Sequence, residues 1–214
     1  MKKTWRLLLA DDHDIVLAGL RLVLNSPEFE IAGCVPDGIA LVKAADELRP
    51  DVIVADITMP LLNGIDAARC IRQLDSRVRF IFLTMHSDVG YATAALSLGG
   101  SGYVLKNMVA DELAVAIHEV LAGGVYVSRT MRQQVMQALD APIPPRASAS
   151  DTLTSRQREV LQLLAEGLTV KQTAHKLHVS PKTVEFHKQR IREQLGLQTI
   201  AELARFAAKN GLVA

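Results

Sequence analysis

Residues 52–60 read Val-Ile-Val-Ala-Asp-Ile-Thr-Met-Pro. Four apolar residues, three of them β-branched, run into a carboxylate, and a proline soon follows. The run is too short for a helix and shows no polar alternation, so it reads as a strand buried on both faces. Similar runs lie to either side at Leu7–Ala10, Phe80–Leu83 and Tyr103–Leu105, with a weaker one at Ile31–Val35. Stretches of helical period separate them, marked by Ile15, Leu20, Val23 and Leu24 and again by Leu113, Ala116, Ile117, Val120 and Leu121. Uniformly apolar strands alternating with amphipathic helices imply a parallel sheet covered on both faces. Five such units are expected, ending near Gly123-Gly124, which makes residues 1–125 one α/β domain.

Residues 126–139 read as a modest helix, followed by Ala141-Pro-Ile-Pro-Pro-Arg-Ala-Ser-Ala-Ser150. Prolines at 142, 144 and 145 cannot continue a helix, so 126–150 is read as a linker helix and linker. Residues 151–214 are purely helical in texture. Thr154/Gln157, Thr169/Gln172 and Thr199/Glu202 have capping-box spacing, and Ser180-Pro181 starts a further helix. Gly167, Gly196 and Gly211 stop three of them, and the second ends by His178. Four helices result, and the turn near Leu177–Ser180 has helix-turn-helix spacing.

The 214 residues are 49% hydrophobic and 22% charged, which excludes a disordered or fibrous chain. Net charge is +1, but residues 1–150 carry 14 Lys and Arg against 17 Asp and Glu, while 151–214 carry 10 against 6. A basic short half suggests an anionic polymer as partner. Cys34 and Cys70 are read as reduced thiols rather than a disulfide framework. The first apolar run is too short for a signal peptide and no run approaches bilayer length, so a cytoplasmic protein without a membrane partner is expected.

In a parallel sheet, functional groups gather at the carboxyl ends of the strands. Asp11 and Asp12, Asp56, Thr84 and Lys106 follow successive apolar runs and should converge on one edge. Three carboxylates together call for a cation, and oxygen-only donors suit Mg²⁺. Asp56 would be a nucleophile for phosphoryl transfer, with Lys106 and Mg²⁺ spreading the charge. His13 and His86 read as loop residues and Asn63-Gly64 as a turn or helix start.

Asp11-Asp12, Asp56 with Met59-Pro60, Thr84, and Tyr103 followed by Lys106 resemble a response-regulator receiver domain over roughly residues 5–123. The resemblance implies a flavodoxin-like, CheY-like five-stranded fold. It implies that Asp56 accepts phosphate from a sensor histidine kinase. Asp12, Asp56 and the carbonyl of Thr58 would hold Mg²⁺ directly, and Asp11 through water. Lys106 would pair with the phosphate, while Thr84 and Tyr103 move toward it. Asn107 stands where many receivers carry a proline after a cis bond, which leaves the isomer of the Lys106–Asn107 bond open.

On the third C-terminal helix, at about 100° per residue, Val184, Ile191 and Leu195 form a core stripe with His187 at its edge. Lys182, Glu185, Phe186 and Gln189 point the other way, flanked by Arg190 and Arg192, with Lys188 on a shoulder. The second helix of a helix-turn-helix with this face suits the major groove. Lys182, Thr183, Lys188, Arg190 and Arg192, with Lys171 one helix earlier, would meet phosphates. Glu185 and Gln189 would reach base edges and Phe186 a thymine methyl. Leu153-Thr154, Arg158-Glu159-Val160-Leu161, Ala165-Glu166-Gly167, Thr183-Val184-Glu185-Phe186-His187, Leu195-Gly196 and Ala201-Glu202-Leu203 are similar to the LuxR-type helix-turn-helix of NarL/FixJ response regulators. Ser155, Val170–Thr173 and Gln198–Ile200 depart from that family's pattern.

The implied function is a non-enzymatic phosphoacceptor, with at most slow autodephosphorylation, in which phosphorylation at Asp56 controls homodimerisation and binding to double-stranded promoter DNA. Remodelling of the surface around 88–122 would release the C-terminal unit, and Ile200, Leu203, Ala204 and Ala207 would form a dimer contact. RNA polymerase is a further implied partner. Two other readings stand beside it. A phosphohydrolase using an aspartate nucleophile would need a second carboxylate two residues on, where Thr58 stands. A constitutive DNA binder would have no use for the five filled site positions.

Overall fold

A computed structural model describes residues 4–85, 89–97, 100–140, 153–177, 179–210 and 212–213. The expected linker 141–150, together with His86, His178 and Gly211, lies outside the described residues. Strands β1 (Trp5–Ala10), β2 (Phe29–Val35), β3 (Val52–Asp56), β4 (Arg79–Thr84), β5 (Gly102–Leu105) and β6 (Tyr126–Val127) form one sheet in the order β2-β1-β3-β4-β5-β6. Every pairing is parallel. Helices α1 (Asp14–Val23) and α5 (Val109–Leu121) cover one face. Helices α2 (Gly38–Leu48), α3 (Gly64–Leu74), α4 (Val89–Ser97) and α6 (Arg132–Asp140) cover the other.

Two-sided burial explains why the strands lack polar alternation. Successive side chains of a strand point to opposite faces. Leu8, Ala10, Ile53, Ala55, Phe80 and Phe82 enter one core, while Leu7, Leu9, Val52, Val54, Ile81 and Leu83 enter the other.

The expectation of five strands is corrected to six. β6 adds beside β5, and the Ser128 N–H extends the ladder to the Tyr103 carbonyl at 2.9 Å. A two-residue strand has no readable period, so residues 126–127 merge into a helical reading that in fact begins at Arg132. Met131, Val135 and Leu139 pack into the same core as Ala92, Ala95 and Leu96, so α6 lies against α4.

The strand order changes direction at β1, so the ends of β1 and β3 open into a crevice. The turn after β3 is tight. The Gly64 N–H donates to the Ile57 carbonyl at 2.8 Å, and a Cβ on Gly64 would sit 2.1 Å from the Asp56 carbonyl oxygen.

The C-terminal helices are α7 (Ser155–Ala165), α8 (Val170–Lys176), α9 (Pro181–Leu195) and α10 (Ile200–Lys209). All three expected capping boxes form, Ser180 caps α9 with Pro181 in its first turn, and Gly196 ends α9 in the left-handed region at φ +67°. Val160, Leu161, Leu164, Ala174, Val184, Ile191 and Leu203 fill the core.

Gly64→Ala is expected to destabilise the α/β unit by about 2–4 kcal/mol, because the β3–α3 backbone must move to admit a methyl group. Urea unfolding followed by far-ultraviolet circular dichroism checks this.

Candidate functional site

The strand ends bring the expected residues together. Lys106 begins a 3-10 turn after β5, and its ammonium lies 2.7 Å from Asp11 Oδ2 and 3.0 Å from Asp56 Oδ2. Asp11 is fully buried and Asp56 nearly so, while Asp12 is exposed. The Thr58 N–H also donates to the Asp56 carboxylate. Thr84 and Tyr103, at 1% and 0% exposure, lie beneath the rim, and Tyr103 already points inward. His13 is more than a loop residue. At the N-cap position of α1, its Nδ1 lies 2.8 Å from Asp12 Oδ1 and 3.3 Å from Asp11 Oδ1. No cis peptide occurs among the described residues, so the Lys106–Asn107 bond is trans.

Burial pushes the Asp56 carboxyl above the usual range. Lys106 opposes the shift by charge and hydrogen bond, Asp11 adds to it, and the Thr58 N–H works against it. Burial also works against the Lys106 charge, yet the hydrogen bonds and charges of Asp11 and Asp56 outweigh it and lift the ammonium upward. The pocket thus holds more negative than positive charge. Ligand atoms of Asp11, Asp12 and His13 lie within 4.8 Å of one another, a donor set dominated by carboxylate oxygens. Such donors fit a hard divalent cation.

On α9, Lys182, Glu185, Phe186, Gln189 and Arg190 are exposed, while Thr183, His187, Lys188 and Arg192 are half-buried. Phe186 is 57% exposed, with the Arg190 guanidinium 5.5 Å from its ring. Lys188 pairs with Glu185 at 2.7 Å, and Gln189 donates to Glu193 at 2.9 Å. Arg192 turns back onto the carbonyls of Leu197 and Gln198, which occupies it within the unit. Lys171 is exposed on α8. On α10, Leu203 and Ala207 are buried in the unit's own core. Ile200 is 62% exposed and Ala204 half-buried.

Residues 7–118 match the response regulator receiver domain, and residues 151–207 match the luxR family of bacterial regulatory proteins. The chain is a response regulator of the NarL/FixJ family. It is 34% identical to the transcriptional regulatory protein MctR of Rhizobium johnstonii over 97% of this chain and 95% of that one. It is 33% identical to the oxygen regulatory protein NreC of Staphylococcus aureus over 97% and 99%. Among solved structures, RcsB of Salmonella enterica serovar Typhimurium, bound to promoter rprA in the presence of phosphomimetic BeF3−, is 28% identical. That likeness spans 96% of this chain and 99% of that one, with a TM-score of 0.61. This regulator therefore combines a receiver with a LuxR-type DNA-binding domain and acts in transcription regulation. Among its described residues, no helix is long and apolar enough to cross a membrane.

The response regulator also carries contacts that no sequence signal announced. Its α7 lies against the β3–α3 loop of the receiver. Gln162 donates to the Met59 carbonyl at 2.5 Å and accepts from the Asn63 N–H at 3.0 Å. Arg158 Nε donates to Asp66 Oδ1 at 2.6 Å, and both side chains are buried. Leu61 holds φ +69°, a left-handed backbone costing about 1–3 kcal/mol for a non-glycine residue, and packs against the core of the DNA-binding domain. These partners lie up to 103 residues apart, so no local pattern could reveal them.

A carboxyl raised by burial stabilises the fold fully only below its unfolded pKa of 3.8, and that stability is lost as pH rises through the folded value. Asp56→Asn, which carries no such charge, is therefore expected to melt above wild type at pH 7 without divalent cations. The gain should vanish as pH falls below about 4, as differential scanning fluorimetry across pH will show.

Proposed function

We propose that Asp56 accepts a phosphoryl group from a sensor histidine kinase and that this event controls pairing of the regulator and its grip on promoter DNA. The observation that carries the reading is the Lys106 ammonium set between Asp11 and Asp56 at the rim, with Thr84 and Tyr103 beneath it. An Asp56 oxygen attacks phosphorus, the bond from phosphorus to the donor histidine nitrogen breaks, and that nitrogen leaves with its electron pair. Lys106 stabilises the oxygens of the transferring group, and Thr84 offers a hydroxyl to the product. Asp12, Asp56 and the Thr58 carbonyl would hold Mg²⁺ directly and Asp11 through water; bound there, the ion supplies positive charge against the developing negative charge. Thr58 stands where a phosphohydrolase needs an acid/base carboxylate, which supports a phosphoacceptor with at most slow autodephosphorylation.

In the DNA-binding domain, which we take as residues 151–214, Glu185 and Gln189 read base edges and Phe186 meets a thymine methyl. Lys171, Lys182, Thr183, Lys188 and Arg190 meet phosphates, and Arg192 joins them only by leaving its loop carbonyls. Pairing would use Ile200 and Ala204, shaped from below by Leu203 and Ala207. Two half-sites then multiply the affinity of one. The receiver is taken as residues 1–125 extended by β6 and α6, followed by the linker. The setting is cytoplasmic, with RNA polymerase as a downstream partner.

Incubation with acetyl phosphate and Mg²⁺ should add one phosphoryl group to wild type and none to Asp56→Asn, read by intact-mass spectrometry. Promoter affinity, read by fluorescence anisotropy, should rise only for wild type. An equal rise in Asp56→Asn would overturn phosphate gating. Lys182→Ala should weaken all sequences alike and reduce the salt slope by about 1.

A further inference from the structure

Glu112 is a fully buried carboxylate that the phosphoacceptor chemistry leaves unused. Its hydrogen-bond partners are a hydroxyl and a backbone N–H rather than a cation: Ser128 Oγ donates to Oε2 at 2.5 Å and the Arg129 N–H to Oε1 at 3.2 Å. Burying a carboxylate on such terms is costly. Ser128 is fully buried too, and its hydroxyl also accepts the Leu105 N–H at 3.0 Å, while its own N–H donates to the Tyr103 carbonyl. Regular parallel pairing would send the Leu105 N–H to a backbone carbonyl, but β6 has ended and a side chain takes that place. Leu105 is the last residue of β5, and Glu112 stands in the first turn of α5. Between them lies the 3-10 turn that begins with Lys106. One hydroxyl therefore ties together both ends of the segment that carries the site lysine.

We infer that Ser128 and Glu112 are positioning residues for phosphoryl transfer, acting through Lys106. This rests on the reading of Asp56 above. A lysine side chain is long and flexible, and the Lys106 ammonium must meet Asp11 and Asp56 at once. Its reach is set by where the backbone starts it. A serine hydroxyl has one proton to give. Glu112 takes that proton, which turns a lone pair of Ser128 Oγ toward the Leu105 N–H and fixes the end of β5. Supporting groups of this kind hold reacting side chains in place, and a displacement of about 1 Å can slow a reaction about a hundredfold. The bracket touches only the lysine side of the site. Asp11 and Asp12 follow β1 and Asp56 ends β3, so the carboxylates are placed without it. By this inference β6 belongs to the phosphoacceptor site, although it lies at the far edge of the sheet.

The test uses the full chain with Mg²⁺ and saturating phosphoramidate, and reads the rate of Asp56 modification by intact-mass spectrometry. Isothermal titration calorimetry reads Mg²⁺ affinity on the same samples. Ser128→Ala should react about tenfold slower or more and bind Mg²⁺ as wild type does. Added to Lys106→Ala, it should slow the reaction no further, because the group it positions is gone. A merely weakened fold would slow both backgrounds alike. A wild-type rate in Ser128→Ala, an equal added loss on Lys106→Ala, or weakened Mg²⁺ binding would overturn the inference and leave the phosphoacceptor reading intact. Should Ser128→Ala fail to fold by circular dichroism, Glu112→Gln decides by the same comparison. Loss of the fold in both variants also overturns the inference, since the bracket then serves folding alone. Failure of every chain, wild type included, to take up a phosphoryl group would overturn both.

Discussion

One lysine ammonium shared by two buried carboxylates is the constraint on which this molecule turns. Removing Asp11 and Asp56 from water is costly, and Lys106 offsets that cost through contacts of 2.7 and 3.0 Å. The compensation is incomplete, because Asp12 adds a third carboxylate at the same rim. The deficit of positive charge makes the pocket receptive to a cation, and the lysine makes it receptive to an anionic group. Neither property belongs to any one side chain. Both follow from a parallel sheet whose strands end at one edge.

The same edge leads into the loop where the two domains meet. Asn63 caps α3 through its side chain, offers its N–H to Gln162, and supports Asp66. Asp66 in turn receives Arg158. A buried ion pair of this kind adds little net stability, since water solvates both partners once they separate. It is nevertheless demanding in geometry. The contact is therefore specific in shape and modest in strength.

Much of the fold was legible because its signals are local. Uniformly apolar runs at 7–10, 52–55, 80–83 and 103–105 announced strands buried on both faces, and each capping box announced a helix start. Site positions followed from topology, since a parallel sheet sends every strand end to one rim. Other features depend on distant partners. Tyr126–Val127 becomes a strand only because β5 offers an open edge. Leu203 and Ala207 show an apolar stripe, which says that they are buried but not against what. Gln162 and Arg158 look like ordinary surface residues of a helix until the receiver loop is set against them.

The outward-facing recognition helix of the docked chain has a kinetic consequence. Lysine and arginine side chains bared on α9 and α8 attract a polyanion whatever the receiver is doing. An unsignalled molecule can therefore loiter on chromosomal DNA, hopping between sites by weak, salt-sensitive encounters. If phosphorylation drives pairing as proposed, activation begins with the regulator close to its targets, and the response time is set less by a search through the cell volume than by how quickly two neighbours find each other along the duplex.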